Sequence, residues 1–409
     1  MKTGQKIDFK IGNKCYSGIY INSNENYTTI KLDNGYNITL KNASLKINKI
    51  YDMENEVINQ KSSVYEPEIH RDKKTYILTT GGTIGSSIDY KTGAVKPVKD
   101  ISYIYNFVNN IDQYEIKHEN IDNILSENVD INKWINFARK AKEKLDKGYG
   151  VVFFHGTDTM QYSSSALSFM FEQQTAPIIF TGSQRSSDRP SSDAFVNIEG
   201  SINFSSTDIG EVCISMHSST SDDSVSLHRG VRARKMHTSR RDAFRTIDAE
   251  ELGTYKNGKV KVTGNYKKRG EKNILKDKLD ENVSIVYFYP GMDESQFQNI
   301  AIDKKAVVIM GTGLGHVSEN ILNTIKKLSK DTYFFMTSQC INGSVNLNVY
   351  STGRELLKAG VVPLYDMLPE TAMLKAMYLL ANYPDNFTNL MKQNLRGEIN
   401  NRILVGDIQ

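Results

Sequence analysis

Three short stretches of this 409-residue chain carry side chains suited to chemistry. Gly81-Gly82-Thr83-Ile84-Gly85 presents the Thr83 hydroxyl, His155-Gly156-Thr157-Asp158-Thr159 joins hydroxyls to one carboxylate, and Lys235 lies inside the basic run Arg229–Arg245. A threonine hydroxyl is a weak nucleophile until a base takes its proton, so these residue types suit activation of a hydroxyl. The glycine loop is not followed by the Gly-Lys-Ser/Thr of a phosphate loop. Its two glycines permit a tight turn and let a ligand approach the backbone closely. A lysine in a loop of an α/β body can be drawn into a site and have its pKa lowered. Each feature also has a plainer account. Thr157 or Asp158 as the cap of a following helix explains the second loop without chemistry, and a basic run is usually a solvated face.

The flanking patterns supply the elements that would position these groups. Val151–Phe154 is a short apolar run without a polar break, the mark of a fully buried strand. From Gln161 the period becomes helical, with Ala166, Leu167, Met170 and Phe171 on one face. Thr75–Thr80 is a strand that runs straight into the glycine loop. Pro177–Phe180 leads into Thr181-Gly182-Ser183-Gln184-Arg185, and Val212–Met216 leads into a serine-rich loop. Polar loops at the carboxyl ends of buried strands are where open α/β sheets carry their reactive groups. Ser86–Val98, polar with Gly93 and Pro97, reads as a flap. Strands alternating with helices predict an α/β body built on a mostly parallel sheet with helices on both faces.

The break Gly253–Asp280, rich in lysine and glycine, precedes a second set of such units. These are the strands Ser284–Tyr289, Ala306–Met310 and Tyr333–Thr337, and the helices Glu319–Leu328 and Pro369–Leu380, with Pro369 suited to a first turn. Gly311-Thr312-Gly313-Leu314-Gly315 matches a dinucleotide fingerprint only loosely, because His316 occupies the sixth position.

The first fifty residues differ in kind. Lys6–Ile11, Cys15–Ile21, Tyr27–Leu32 and Tyr36–Leu40 are β-patterned, and Asp33-Asn34-Gly35 is a hairpin turn that needs positive φ. About five strands in this span predict a small SH3-like barrel over residues 1–50, followed by a polar linker over 51–73. Eight lysines oppose Asp8, Glu25 and Asp33 there; a solvated exterior accounts for them, as does a nucleic-acid or partner surface. At 39% hydrophobic and 24% charged, the chain reads as globular with room for two or three domains. It contains no apolar run long enough to span a membrane and no apolar signal core near its start. Cys15, Cys213 and Cys340 lack metal-ligand spacing and read as reduced thiols of a cytoplasmic protein. A net charge of +4 permits nucleic-acid contact without arguing for it.

TTGGTIGSS at 79–87, HGTDTM at 155–160 and the lysine of RARKMHTS, in matching order and spacing, resemble the asparaginase/glutaminase family over residues 74–409. The closer resemblance is to its D-type branch, found in archaeal-type glutamyl-tRNA(Gln) amidotransferases. The appended β-domain with KLDNGYNI, the flap SSIDYKTGAVKP and the ending NYPDNFTNLMKQNLRGEIN carry it. The resemblance implies an asparaginase-like body with a first domain over 74–275 and a smaller second domain over 276–409. It implies a glutaminase in which Thr83 is the nucleophile, assisted by Thr157, although the loops alone leave either threonine open. Lys235 would be the base, and Asp158 would orient it and the substrate ammonium. Ser126 would grip the substrate α-carboxylate, Gly82 would line the pocket and Tyr90 would close over it. Glu127 departs from the Gln of many free asparaginases, which puts amino-acid recognition at that point in doubt. No metal or organic cofactor is expected in this chain. ATP and Mg²⁺ belong on a partner subunit of the E type, which would convert Glu-tRNA(Gln) with ammonia from glutamine or asparagine. A homodimeric core within a heterotetramer, with no membrane association, completes the expectation. Two alternatives use the same residues differently: a stand-alone cytoplasmic asparaginase, and a non-catalytic RNA-binding scaffold exploiting the barrel and the Arg229–Arg245 patch.

Overall fold

The computed structural model describes residues 5–12, 14–32, 37–51, 73–82, 84, 86–88, 95–97, 113–185, 192–263 and 265–400. Its N-terminal part is a small all-β sheet of five strands: β1 (Lys6–Ile11), β2 (Lys14–Ser23), β3 (Tyr27–Leu32), β4 (Asn37–Lys41) and β5 (Leu45–Ile50). Alternation with a period of two drives it. In β1, Ile7 and Phe9 are buried while Lys6 and Lys10 face outward. The strands pair antiparallel in the order β4-β3-β2-β1-β5 over a core of Ile7, Phe9, Tyr20 and Ile30. The Asp33-Asn34-Gly35 turn and segment 52–72 of the linker lie outside the described residues.

The main body opens with β6 (Lys74–Gly81) and the antiparallel pair β7 (Ser86–Ile88) and β8 (Val95–Pro97). Then come β9 (Glu115–Ile124), α1 (Ile131–Leu145), β10 (Gly150–Phe154), α2 (Met160–Met170), β11 (Phe171–Gln173) and β12 (Ile178–Thr181). The series continues with α3 (Ala194–Ser205), β13 (Val212–His217), β14 (Ser224–Arg229), β15 (Ala233–Lys235) and β16 (Phe244–Thr246). It ends with β17 (Gly253–Lys256), β18 (Lys259–Val262) and β19 (Ile274–Leu275). Eight strands form one sheet in the order β18-β17-β14-β13-β12-β10-β6-β9. From β9 to β13 the neighbours are parallel, whereas β14, β17 and β18 are antiparallel additions. The expected mostly parallel sheet is therefore a mixed one. Short connections account for the antiparallel pairs β13–β14 and β17–β18, since parallel neighbours need a crossover of a dozen or more residues. Asn257 and Gly258, at φ 50° and 76°, turn β17 directly into β18. That Asn-Gly pair sits inside the stretch that composition alone marks only as a break.

The second unit comprises β20 (Val283–Tyr287), α4 (Glu294–Ala301), β21 (Ala306–Gly311), α5 (Glu319–Leu328) and β22 (Tyr333–Ser338). It is completed by α6 (Ser351–Lys358), β23 (Val362–Pro363), α7 (Pro369–Asn382) and α8 (Phe387–Met391). Its sheet, β20-β21-β22-β23, is wholly parallel. Helix α7 packs on α2 and also on β20 and β21, so one apolar cluster joins Phe153, Leu167 and Phe180 to Val308, Phe335 and Leu374. Enclosed in this way, α2 is more than one-faced. Ser163, Ser164, Ser165 and Ser168 are buried together with Ala166, Leu167 and Met170, and Phe171 already begins β11. The serine hydroxyls find partners: Ser164 and Ser165 donate to the Gly230 carbonyl at 2.9 and 3.2 Å, and Ser168 donates to Ser164 at 2.7 Å. Among the described residues no helix is long and apolar enough to cross a membrane.

The segment after α8 returns to the first unit. Arg396 donates to the carbonyls of Ser168 and Phe169 at 2.9 and 3.4 Å, where a cation suits the end of α2. Lys375 of α7 and Glu398, both fully buried, form an ion pair at 2.6 Å. The Glu398 carboxylate also accepts from the backbone N–H groups of Leu395 and Arg396. Removing one member strands a buried charge, whereas removing both does not. Lys375→Met should therefore cost about 3–5 kcal/mol. Adding Glu398→Leu should recover most of that loss, as read from denaturant unfolding midpoints.

Candidate active site

The site is assembled where three loops meet through glycine. Gly82, at φ 82°, packs so tightly on the next loop that a Cβ there would lie 2.6 Å from Gly156 N. A Cβ on Gly156 would lie 2.7 Å from Ser126 Cβ, and one on Gly182 would lie 2.8 Å from the Thr157 methyl. The ends of β6, β10 and β12 and the turn Ser126–Asn128 thus meet directly at these glycines, and no side chain larger than hydrogen fits there. Ser126 is buried, and its carbonyl accepts from the Thr159 hydroxyl at 2.7 Å. Glu127 beside it is exposed. Thr83, the residue after Gly82, and Tyr90 of the flap both lie outside the described residues.

Lys235 reaches this junction from a separate element. It ends β15, in a short hairpin with β16. Its Nζ donates to Thr157 Oγ1 at 2.9 Å and to Asp158 Oδ1 at 2.6 Å. The lysine side chain is 9% exposed and that of Asp158 is 71% exposed. Thr157 is itself buried. Hydroxyl and amine are therefore screened from water, while the carboxylate opens to whatever enters. Neither Thr157 nor Asp158 accepts a backbone N–H as a cap of α2, which has no side-chain cap at all. The capping account of this loop therefore fails.

The basic run around Lys235 is ion-paired within the chain, although Met236–Arg240 face solvent. Arg229 pairs with Glu211, Arg232 with Asp366, Arg234 with Glu370, Arg241 with Asp222, and both Arg240 and Arg245 with Asp242. Arg232 is fully buried. The pairing leads further. Asp222 also bonds His217 Nε2 at 3.2 Å, His217 Nδ1 meets Asn197 Oδ1 at 2.5 Å, and Asn197 Nδ2 donates to the Gly182 carbonyl at 2.9 Å. Burial works to raise the Asp222 carboxyl, but His217 and Arg241 outweigh it and hold it down at about 2. Arg241 belongs to the turn of the Lys235 hairpin, and Gly182 touches Thr157. One polar chain therefore ties the two halves of the site together. Asn197, His217 and Asp222 carry no motif, and only the paired arginine run hints at them in the sequence.

Two imidazoles brace the same two halves. His155 is buried, donating from Nδ1 to the Gly156 carbonyl at 2.7 Å and accepting at Nε2 from Ser163 at 2.8 Å. Both ring nitrogens are thus taken up within the chain, which gives the ring a bracing role. His228 lies under the hairpin, with Nδ1 2.8 Å from Thr246 Oγ1 of β16.

Comparison with known proteins follows the same lines. Residues 74–268 match the asparaginase N-terminal domain, and residues 282–390 match the glutaminase/asparaginase C-terminal domain. The D-type chain of glutamyl-tRNA(Gln) amidotransferase from Thermoplasma volcanium is 48% identical over 406 residues, 99% of each chain. The chain belongs to the D-type family of glutamyl-tRNA(Gln) amidotransferase subunits. The Saccharolobus solfataricus member is 40% identical over 418 residues, covering 98% of this chain and 94% of its own. Among solved structures, the thermostable L-asparaginase from Thermococcus kodakarensis superposes with a TM-score of 0.74 at 28% identity, over 80% of this chain and 100% of that one. L-asparaginase I from Vibrio cholerae gives 0.70 at 28% identity, over 80% and 99%. The amidotransferase relatives thus share the whole chain, and the asparaginases share about the part that begins at residue 74.

Burial pushes His155 and His228 down from the ordinary 6.5 to about 4. Each stays neutral when folded but binds a proton near pH 6.5 when unfolded. Each therefore contributes stability that is complete above about pH 6.5 and lost by about pH 4, roughly 3 kcal/mol per imidazole. Urea unfolding between pH 7 and pH 4.5 should show stability falling with pH, and His155→Gln should reduce that slope by about one proton.

Proposed function

We propose that this chain is the glutaminase component of a tRNA-dependent amidotransferase. The observation that carries the reading is the screened Thr157–Lys235–Asp158 hydrogen-bonded set, in a chain related to the D-type amidotransferase proteins along its whole length. A carboxamide is a poor electrophile, so its cleavage needs an activated nucleophile and a proton donor for the leaving nitrogen. In the proposed sequence, the Thr83 hydroxyl attacks the side-chain amide of glutamine. Its proton passes through Thr157 to Lys235 in its neutral form, and Asp158 orients Lys235 and the substrate ammonium. The C–N bond then breaks and the nitrogen leaves with that proton as ammonia. Water cleaves the resulting ester, releasing glutamate and restoring Thr83. Ser126 holds the substrate α-carboxylate, Gly82 admits the substrate against the backbone and Tyr90 closes the flap.

The reading requires no metal or organic cofactor in this chain. A partner of the E type uses ATP and Mg²⁺ to activate Glu-tRNA(Gln), and the ammonia converts it to Gln-tRNA(Gln). Two copies of the chain form the core of a heterotetramer. The N-terminal sheet is an SH3-like barrel over 1–50, joined by the linker 51–73 to domains over 74–275 and 276–409. A stand-alone asparaginase leaves the N-terminal sheet without a role. An RNA-binding scaffold loses its main support, because the arginine run is paired with carboxylates of the same chain.

An ammonia-release assay tests the reading. The isolated chain should hydrolyse glutamine slowly, and partner plus Glu-tRNA(Gln) should raise the rate about 10-fold or more, which requires only about 1.4 kcal/mol of differential binding. Rapid asparagine hydrolysis that is indifferent to charged tRNA would establish the free asparaginase instead. Within the site, Thr83→Ala, Thr157→Ala, Asp158→Ala and Lys235→Ala should each cost about 10²-fold or more in turnover, with pairs far from additive. Asp222→Ala should lower kcat by about 10-fold while leaving KM nearly unchanged, because it loosens the hairpin rather than the substrate pocket.

A further inference from the structure

The outward face of the N-terminal sheet is arranged in a way that folding alone does not favour. In the register of β1 with β5, Lys10 lies directly opposite Lys46, and Asp8 lies opposite Lys49. Cross-strand partners share a face, and like charges directly opposite are destabilising. Lys6, two residues from Asp8 along β1, faces the same way, about 7 Å away by strand geometry. Lys6, Lys10, Lys46 and Lys49 are all exposed. Among the described residues of this face Asp8 is the one acid, and it is already engaged. The Tyr51 hydroxyl donates to it at 2.6 Å, and that bond, together with Lys6 and Lys49, holds its carboxyl below the usual range. The Lys49 ammonium sits 4.6 Å over the Tyr51 ring, which is itself 36% exposed. Among the described residues the face therefore presents four cations in two strand rows, their one counter-ion occupied, with an aromatic ring at the edge. By contrast, every arginine of the run Arg229–Arg245 has a carboxylate partner within the chain.

We propose that the β1–β5 face, through Lys6, Lys10, Lys46, Lys49 and Tyr51, is a binding surface for the phosphate backbone of RNA. A polyanion relieves the Lys10–Lys46 repulsion that the bare sheet carries, and the lysines release its counterions on contact. Tyr51 offers a stacking surface that is indifferent to base identity. Recognition is therefore of backbone charge and not of sequence. The inference rests on the reading above in taking a transfer RNA as the RNA concerned.

The test is fluorescence anisotropy of the full chain with an unmodified glutamine-accepting tRNA transcript, at salt from about 50 to 200 mM. Lys10→Gln with Lys46→Gln should weaken binding and flatten the plot of log affinity against log salt by about two. Lys46→Glu is the sharper variant. It puts opposite charges across the strands, so hydrogen exchange of the β1 and β5 amides should slow while RNA affinity falls. An unchanged salt slope in the glutamine variant overturns the proposal, as does a wild-type chain that fails to bind the transcript. Variants that keep RNA affinity but lose the partner protein would make the face a protein contact, and the proposal would again fail. Formation of Gln-tRNA(Gln) by the wild-type chain with its partner is scored separately. Its absence removes the functional reading, whereas its presence with an unchanged slope removes only this inference.

Discussion

A lysine side chain has four rotatable bonds, yet this site holds the Lys235 amine within hydrogen-bonding reach of a buried hydroxyl. Holding it there is the task to which much of the surrounding architecture answers. β15 is only three residues long and cannot set its own position. Three carboxylates from two directions hold its hairpin: Asp366 and Glu370 from the second unit grip Arg232 and Arg234, and Asp222 from the β13–β14 turn grips Arg241. The opposing wall is fixed in another way, by close packing that only glycine allows at Gly82, Gly156 and Gly182. A flexible group is thus positioned by ion pairs and a rigid one by close packing, and the hydrogen bond forms where they meet.

The same division explains why α2 is full of serines. The helix is clasped between the first sheet and α7, so its polar side chains cannot reach solvent. Short hydroxyls can still bond nearby carbonyls, and two of them take the carbonyl of Gly230, two residues before Arg232. Longer polar groups would find no partners in that space, and apolar groups would leave the carbonyl unpaired.

Much of this was legible in the residues. The strands β6 and β10, and the loop that bears Thr157 and Asp158, follow from apolar runs that end in glycine and hydroxyl residues, signals confined to about ten positions each. What stayed hidden depends on distance along the chain. The arginine run reads as solvated because its partners Asp366 and Glu370 lie 134 and 136 residues further on. Helix α2 reads as one-faced because its second cover, α7, is about two hundred residues away in sequence. The turn at Asn257-Gly258 is the exception, since its signal is local and the antiparallel additions to the sheet could have been read from it.

The return of residues 394–400 to the first unit also bears on how the chain is made. Arg232 bonds the Gly397 carbonyl at 2.9 Å, across 165 residues. At ribosomal speeds of about 5–20 residues per second, the second group emerges roughly ten to thirty seconds after the first. Until then the buried guanidinium lacks its acceptors, and the hairpin beside it has nothing to close upon. The full set of acceptors for Arg232 is thus deferred to the end of translation, and a nascent chain that stalls midway lacks the contacts that hold the hairpin beside it.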